Sequence, residues 1–126
     1  MSDKVKMTIW GRELEVGITY DCYSNEAVTE LQKETVKLLI EARTSVEASL
    51  DNVKAYCLAN NKEDIGTESI ENIFKYVAPK YLYVIRANDM RKAAIMCNYK
   101  FDAEHGIAVV FENEKFVEVV KQDAVL

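Results

Sequence analysis

The chain has 126 residues, of which 49% are hydrophobic and 29% are charged, and its formal net charge at pH 7 is −5. This length and composition predict one folded domain over residues 1–126, and four glycines with one proline fit neither a disordered chain nor a repeat array. The acidic balance argues against nucleic-acid binding, which needs a basic surface, and suits a basic protein partner.

The sequence also bears on membranes and on the cellular compartment. No apolar run approaches the roughly 20 residues that a membrane-spanning helix needs, and no secretory signal pattern is present. Cys22, Cys57 and Cys97 are odd in number and far apart, which is typical of free thiols in a reducing compartment. A cytoplasmic protein without a membrane partner is therefore expected.

The first predicted element is a β-hairpin, because apolar and polar residues alternate on both sides of Gly11-Arg12. A two-residue loop at Gly11-Arg12 would pair Ile9 with Leu14 and create one apolar face. That face would contain Val5, Met7, Ile9, Leu14, Val16 and Ile18. Trp10 would lie beside the turn on the polar face. There it is either an anchor for a partner or a side chain that packs on a neighbouring loop.

A long helical pattern follows the hairpin. Ser24 and Asn25 are predicted to cap it, and apolar residues then recur at spacings of three and four as far as Asn60. One straight helix of that length would measure roughly 50 Å, whereas a domain of this size is only about 36 Å across. We therefore expect a break near residues 43–45, which gives two helices.

The next segment is predicted to contain a loop and a short third helix. Residues 60–64, followed by Gly66, have the composition of a loop. Thr67 favours the start of a helix that would continue to Val77, and Pro79 would end it.

Four consecutive strands are predicted over residues 81–121, with turns at residues 87–89, 101–106 and 113–115. In the second strand the odd positions from Ala93 to Phe101 are apolar and are expected to face the core. The predicted fold class is α+β: an N-terminal β-hairpin, two to three helices and a four-stranded antiparallel meander, with the helices on one face. Apolar residues on the other face predict either an exposed protein-binding strip or a covering helix or loop.

His105 is the single histidine and lies in a segment that also contains Asp102, Glu104 and Gly106. The segment resembles acid–base equipment, but it equally fits a turn in which Gly106 has a positive φ and Asp102 binds backbone amides. The turn is favoured, since Cys97 would lie roughly 15 Å away if Phe101 paired with Ile107. Without zinc-ligand spacings or phosphate-binding glycine motifs, we predict no catalytic residue, metal or cofactor.

Three segments carry a family resemblance: NIFKYVAPK at residues 72–80, MCNYKFDAEHGIAVVFENEK at 96–115 and QDAVL at 122–126. They resemble a group of small bacterial proteins of unknown function, found mainly in Firmicutes. Some of these are similar to immunity proteins encoded beside polymorphic or contact-dependent toxins. The likeness includes Trp10-Gly11 and Asp21-Cys22-Tyr23. Relatives tend to have Asn-Gly in place of Asn113-Glu114, and the resemblance implies no catalytic residue.

Three functional hypotheses follow. The first is a non-enzymatic cytoplasmic immunity protein that binds and neutralises a cognate toxin. Its candidate contacts are Trp10, Glu104, His105, Glu112, Glu114 and Glu118. The second is a small ligand-binding or enzymatic domain with a pocket at Asp102, Glu104 and His105. The third is a module that forms a homodimer through a free sheet edge.

Overall fold

The computed structural model describes residues 3–22 and 25–126. One six-stranded sheet has its strands in the order β1-β2-β3-β4-β5-β6, which is also their order in the chain. The strands are β1 Asp3–Ile9, β2 Arg12–Tyr20, β3 Val77–Ile85, β4 Lys92–Tyr99, β5 Ile107–Glu112 and β6 Lys115–Val120. The helices are α1 Glu30–Glu41 and α2 Arg43–Ile65, with short 3-10 turns at Ile73–Lys75 and Gln122–Ala124. The predicted α+β class is confirmed.

The four strands β3 to β6 pair antiparallel in chain order as predicted, but the sheet as a whole differs from the prediction because it is six-stranded and mixed. The N-terminal hairpin joins the later strands through parallel pairing of β2 with β3, from Gly17 opposite Tyr81 to Tyr20 opposite Val84. All other neighbouring pairs are antiparallel. Parallel neighbours need a long crossover connection, and α1 and α2 provide it here.

The register of the first hairpin corrects the prediction. Ile9 pairs with Arg12 and Met7 pairs with Leu14, so the turn residues are Trp10 and Gly11. Trp10 and Gly11 have φ angles of +51° and +79°. Two successive positive φ angles characterise the type I′ turn, whose twist matches that of the flanking strands. The shift is two residues, so the apolar face keeps its members while each cross-strand pair changes.

Helix α1 begins later than the sequence predicted. Thr29 is its N-cap: the hydroxyl accepts a hydrogen bond from the Gln32 amide, and the Gln32 side chain accepts one from the Thr29 amide. This reciprocal capping box satisfies two amides at the helix start, so the predicted cap at Asn25 is wrong. The other predicted cap, Ser24, lies outside the described residues. The predicted break is confirmed within one residue, at Ala42.

Helix α2 runs through residues 60–64, which the sequence predicted to be a loop. It ends at Gly66, whose φ of +78° is left-handed and whose amide donates to the Lys62 carbonyl at 2.9 Å. Asn61 has non-helical backbone angles (φ −139°, ψ 34°), and its side-chain oxygen accepts a hydrogen bond from the Tyr99 hydroxyl at 2.7 Å. Contact with β4 therefore holds the last turn of the helix in place.

The predicted third helix is wrong. Only the 3-10 turn Ile73–Lys75 forms, with the Asn72 side chain accepting from the Phe74 amide, and strand β3 begins at Val77. Pro79 lies inside that strand. It is tolerated because pairing with β2 starts only at Tyr81, and because a register shift follows it between Pro79 and Tyr81.

The two helices pack on one face of the sheet, α1 against β3 and β4, and α2 against β1 and β6. The main core lies between these layers. As predicted, the odd positions Ala93, Ile95, Cys97 and Tyr99 of β4 belong to it, together with Phe111 of β5.

The opposite face is also covered at its centre. Ala94, Met96, Ala108 and Val110 form a second buried cluster with at most 1% exposure. Tyr81 and Tyr83 of β3, Val120 of β6 and Val125 near the C-terminus pack on this cluster. The predicted exposed strip is therefore absent at these four residues, and side chains of neighbouring strands cover them together with Val125 of the C-terminal segment.

Candidate functional site

The loop that joins β4 to β5, residues 100–106, contains the polar cluster singled out in the sequence. The Asp102 carboxylate accepts a hydrogen bond from the His105 amide at 3.2 Å and lies 2.9 Å from the ring Nδ1 of His105. The Gly106 amide donates to the Asp102 carbonyl at 2.9 Å, and Gly106 has a φ of +58°. The interpretation of this segment as a turn built by Asp102 and Gly106 is confirmed.

The segment after β6, residues 121–126, ties this loop to the sheet. Gln122 donates its amide to the His105 carbonyl at 3.3 Å and its side-chain Nε2 to the Cys97 carbonyl at 3.0 Å. The second ring nitrogen of His105 lies 3.8 Å from the Asp123 carboxylate. The imidazole therefore lies between carboxylates of two chain segments, a position that fits a structural role.

The electrostatics of the loop fit this role. The hydrogen bond from His105 lowers the pKa of Asp102, with a smaller contribution in the same direction from Lys121. Cys97 cannot serve as a partner nucleophile, because its thiol is fully buried and burial raises its pKa. The register does correct one prediction: Cys97 pairs with Ile107, so its backbone lies close to the loop and not roughly 15 Å down the strand.

Trp10 is buried, with 5% of its surface exposed. Its ring nitrogen donates a hydrogen bond to the Ser49 hydroxyl at 3.1 Å, and its ring lies 6.0 Å from that of Phe74. The Arg12 guanidinium covers the Phe74 ring at 4.0 Å. Trp10 thus packs between the hairpin, α2 and the 3-10 turn, which is the second of the two alternatives, and it leaves little of its surface for a partner.

The four glutamates proposed as contacts fall into two pairs. Glu112 forms an ion pair with Lys92 at 3.3 Å, and Glu114 holds Arg91 through two contacts of 2.7 and 2.9 Å. The hydrogen bond with Glu114 raises the pKa of Arg91. Glu104 and Glu118 are exposed. The charges of the first pair are therefore compensated within the chain, and only the second pair is available to a partner.

The six proposed contacts do not gather on one surface. The Trp10-Gly11 turn, the start of β3 and the β4–β5 loop lie at one end of the sheet, called here the proximal end. The β3–β4 and β5–β6 turns lie at the opposite, distal end. Glu104 and His105 are consequently proximal, Glu112 and Glu114 are distal, and Glu118 lies along β6 opposite Val110.

Three clefts at the proximal end adjoin the 3-10 turn, and none of them was predicted from the sequence. A cleft of about 390 Å³ lies beside Tyr76 and Lys100 and reaches the β4–β5 loop at Ala103. A second of about 280 Å³ lies beside Trp10 and Lys54, and a third of about 320 Å³ lies beside Thr67 and Ile70. The available signal was the lysine between aromatics in both Phe74-Lys75-Tyr76 and Tyr99-Lys100-Phe101.

A separate polar cluster fixes the connection from β2 to α1. Gln32 is buried and donates to the carbonyls of Asp21 and Val84 at 3.0 and 3.3 Å. Arg86 donates to the Ala27 carbonyl at 3.1 Å and forms an ion pair with Glu26 at 3.4 Å. These groups satisfy one another, so this cluster has a structural role as well.

Two further findings concern the described residues 3–22 and 25–126. They contain no group of three histidine, cysteine, aspartate or glutamate side chains that could hold a metal ion. None of their helices combines the length and the apolar character needed to cross a membrane.

Comparison with known proteins identifies the family. The model of the family described as "Domain of unknown function (DUF6985)" matches residues 1–126, so the chain belongs to that family. Neither the curated proteins nor the solved structures contain a match.

Proposed function

We propose that this protein is a non-enzymatic binding protein that docks on a cognate bacterial toxin in the cytoplasm and neutralises it, as an immunity protein does. The observation that carries the proposal is the β4–β5 loop, which is held rigid and yet presents exposed side chains. Hydrogen bonds from the His105 amide to the Asp102 carboxylate and from the Gln122 amide to the His105 carbonyl fix its backbone, while Ala103 and Glu104 at its tip are exposed. A loop already held in one conformation loses little entropy on binding, which favours tight association.

Charge supports a basic partner. The chain has a net charge of −5, and Glu104 has no ion-pair partner among the residues the structure describes. Such a carboxylate can bind a cation of the partner without first breaking an internal contact, and a net negative charge speeds encounter with a basic protein. Glu104 is therefore the contact we propose, and Glu118 is a second candidate on another surface.

The hypothesis of an enzymatic or ligand site at Asp102, Glu104 and His105 has less support. The Asp102 carboxylate and the His105 ring bind each other, and the neighbouring cleft touches the loop at Lys100 and Ala103 but at none of these three residues. A substrate at the loop would have to displace those contacts. The exposed tip, in contrast, is accessible to a protein surface as it stands.

A growth assay tests the proposal. The reading frame adjacent to the gene is expressed from an inducible promoter, alone or together with this protein. We expect its product to arrest growth and co-expression to restore it. Glu104→Lys should abolish the rescue, whereas Asp89→Lys should not, because Asp89 is an exposed carboxylate in the distal β3–β4 turn. Growth arrest that this protein does not relieve would contradict the proposal, and so would full rescue by Glu104→Lys.

A further inference from the structure

The largest of the three proximal clefts is positively charged, although the protein as a whole is acidic. Its volume is about 390 Å³ and its lining contains two lysines, Lys75 and Lys100, and no aspartate or glutamate. The net charge of the chain is −5. A cationic cleft on an acidic protein concentrates small anions locally, whatever the sign of the overall charge.

Neither lysine has its charge compensated nearby. Several other cations of the described chain, such as Arg91 and Lys92, form ion pairs, but Lys75 and Lys100 have no carboxylate within 4.0 Å in the described residues. The acidic residue closest in sequence to Lys100 is Asp102, which faces His105, and the one closest to Lys75 is Glu71, which lines the two smaller clefts. Both ammonium groups belong to exposed residues, so they can turn towards an anion in the cleft.

The same cleft has an aromatic wall and an apolar floor. The rings of Tyr76 and Phe101 stack with centroids 5.4 Å apart, and the Lys100 ammonium lies 5.9 and 5.8 Å from these centroids. Of these two rings Tyr76 lines the cleft, together with Phe74 and the buried residues Val77 and Tyr99. A flat ring is the ligand shape that such a wall accommodates best.

Backbone pairing makes the cleft a rigid feature. Val77 pairs with Tyr99 and Ala78 with Asn98 in the β3–β4 ladder, and the Lys100 amide donates to the Tyr76 carbonyl at 2.8 Å. Asn98 also lines the cleft, and as an exposed residue it can supply a hydrogen-bond donor. The cleft thus combines apolar walls with a few convergent polar groups, the usual composition of a small-molecule site.

We propose that this cleft binds a small aromatic anion. The ring lies against Tyr76, and a carboxylate is held by Lys75, Lys100 and Asn98. A volume of about 390 Å³ is at the lower end of the range of small-ligand sites, which suits a one- or two-ring acid. The inference does not rest on toxin binding, and its test uses the protein alone.

The test is a titration of the isotope-labelled protein followed by amide NMR. The probes are phenylacetate and indole-3-acetate, with phenethylamine as the cationic control and inorganic phosphate as the anion without a ring. We expect the two aromatic acids to shift the amides of Tyr76, Asn98, Lys100 and Ala103. Phenethylamine should leave them unchanged, and phosphate should bind more weakly than either acid because it cannot stack.

Matched variants identify the groups responsible. Lys75→Ala and Lys100→Ala should each weaken binding of indole-3-acetate about tenfold, the expected effect of losing one charge-assisted contact. Lys80→Ala is the control, because Lys80 is an exposed lysine of β3 outside the cleft, and it should leave affinity unchanged. Tyr76→Leu should weaken the aromatic acids and leave phosphate unaffected.

Three outcomes would overturn the inference. One is the absence of cleft shifts with both acids in the unmodified protein, a result that needs no variant to fold. Another is equal binding of phenethylamine, and the last is equal affinity in Lys75→Ala, Lys100→Ala and Lys80→Ala. Amide shifts confined to residues outside the cleft would overturn the inference in the same way as the absence of shifts in the cleft.

Discussion

At the scale of single residues, the Asp102 carboxylate makes the stability of the β4–β5 loop depend on pH. Its pKa is lowered in the folded chain, mainly by the hydrogen bond from His105, relative to an ordinary value of 3.8. A lowered folded pKa stabilises the protein above the ordinary pKa, and this contribution is lost as pH falls through the folded pKa. Acid should therefore destabilise the unmodified protein more than Asp102→Asn.

The measurement is the melting temperature of both proteins from about pH 7 to about pH 2. We expect Asp102→Asn to melt lower at neutral pH and the difference to shrink below about pH 4, where the carboxylate becomes protonated. Glu104→Gln is the control, because Glu104 lies exposed on the same loop without an ion pair among the described residues. A difference between the first two proteins that stays constant with pH would show that the Asp102 charge is irrelevant.

Gly106 is the second residue on which the loop depends. Its φ is +58°, and an added Cβ would lie 2.5 Å from the Cys97 carbonyl and 2.6 Å from Gln122 Nε2. Gly11 has a φ of +79° with open space around it, so Gly11→Ala isolates the cost of backbone strain, about 1–2 kcal/mol.

We expect Gly106→Ala to cost roughly 1–3 kcal/mol more than Gly11→Ala, because the loop or Gln122 must move to make room. Urea denaturation of both variants measures this difference. Equal losses in the two variants would mean that the loop is not tightly packed against β4 and the C-terminal segment.

The sequence was sufficient for the local chemistry of this loop but not for Trp10. The turn roles of Asp102 and Gly106 depend on neighbours within four residues, which the sequence displays directly. The burial of Trp10 depends on Ser49 and Phe74, which are distant along the chain. The alternation of apolar and polar residues along a strand assigns each residue to one face of the sheet. It does not show which helix or loop packs against that face.

At the scale of elements, the contact between Trp10 and Ser49 joins the first hairpin to α2. Ser49 is fully buried, and its hydroxyl accepts from the indole and donates to the Val46 carbonyl. Ser49→Ala leaves the indole N–H without a partner and should cost about 1–3 kcal/mol. Thr44→Ala, at an exposed position of the same helix, is the control and should change stability little.

A double-mutant cycle separates this hydrogen bond from packing. Trp10→Phe removes the indole N–H, so Ser49→Ala should cost less in that background than in the unmodified protein. Denaturant unfolding of the four proteins gives the coupling energy. Strictly additive losses would contradict a stabilising contact between hairpin and helix.

The element predictions failed where pairing partners outweighed local pattern. Residues 67–77 have helical spacing, but β4 pairs with the chain from Val77 onward, so only the 3-10 turn Ile73–Lys75 forms before the strand. In the first hairpin, the pattern of alternation is the same for two registers two residues apart. The turn decides between them, and here it places the bulky Trp10 at φ +51°, a conformation usually reserved for glycine or asparagine.

At the scale of the whole molecule, the sheet order explains why the candidate contacts separate. Glu104 and Glu112 belong to the same hairpin in sequence, but β5 carries them to opposite ends of the sheet. The parallel pairing of β2 with β3 decides that Trp10 lies at the same end as Glu104. No local sequence pattern predicts that parallel pairing. The sequence therefore predicted the α+β class, but it did not predict which candidate contacts share one end of the sheet.

The central claim is that the exposed Glu104, on a preorganised loop of an acidic protein, docks on a basic toxin. Calorimetric titration with the product of the adjacent reading frame at about 50 mM and about 300 mM salt tests it most directly. We predict one binding site per chain and weaker affinity at the higher salt concentration. Glu104→Lys should lower the affinity about tenfold or more, and Asp89→Lys should not. The absence of binding, or an affinity that neither salt nor Glu104→Lys alters, would contradict the claim.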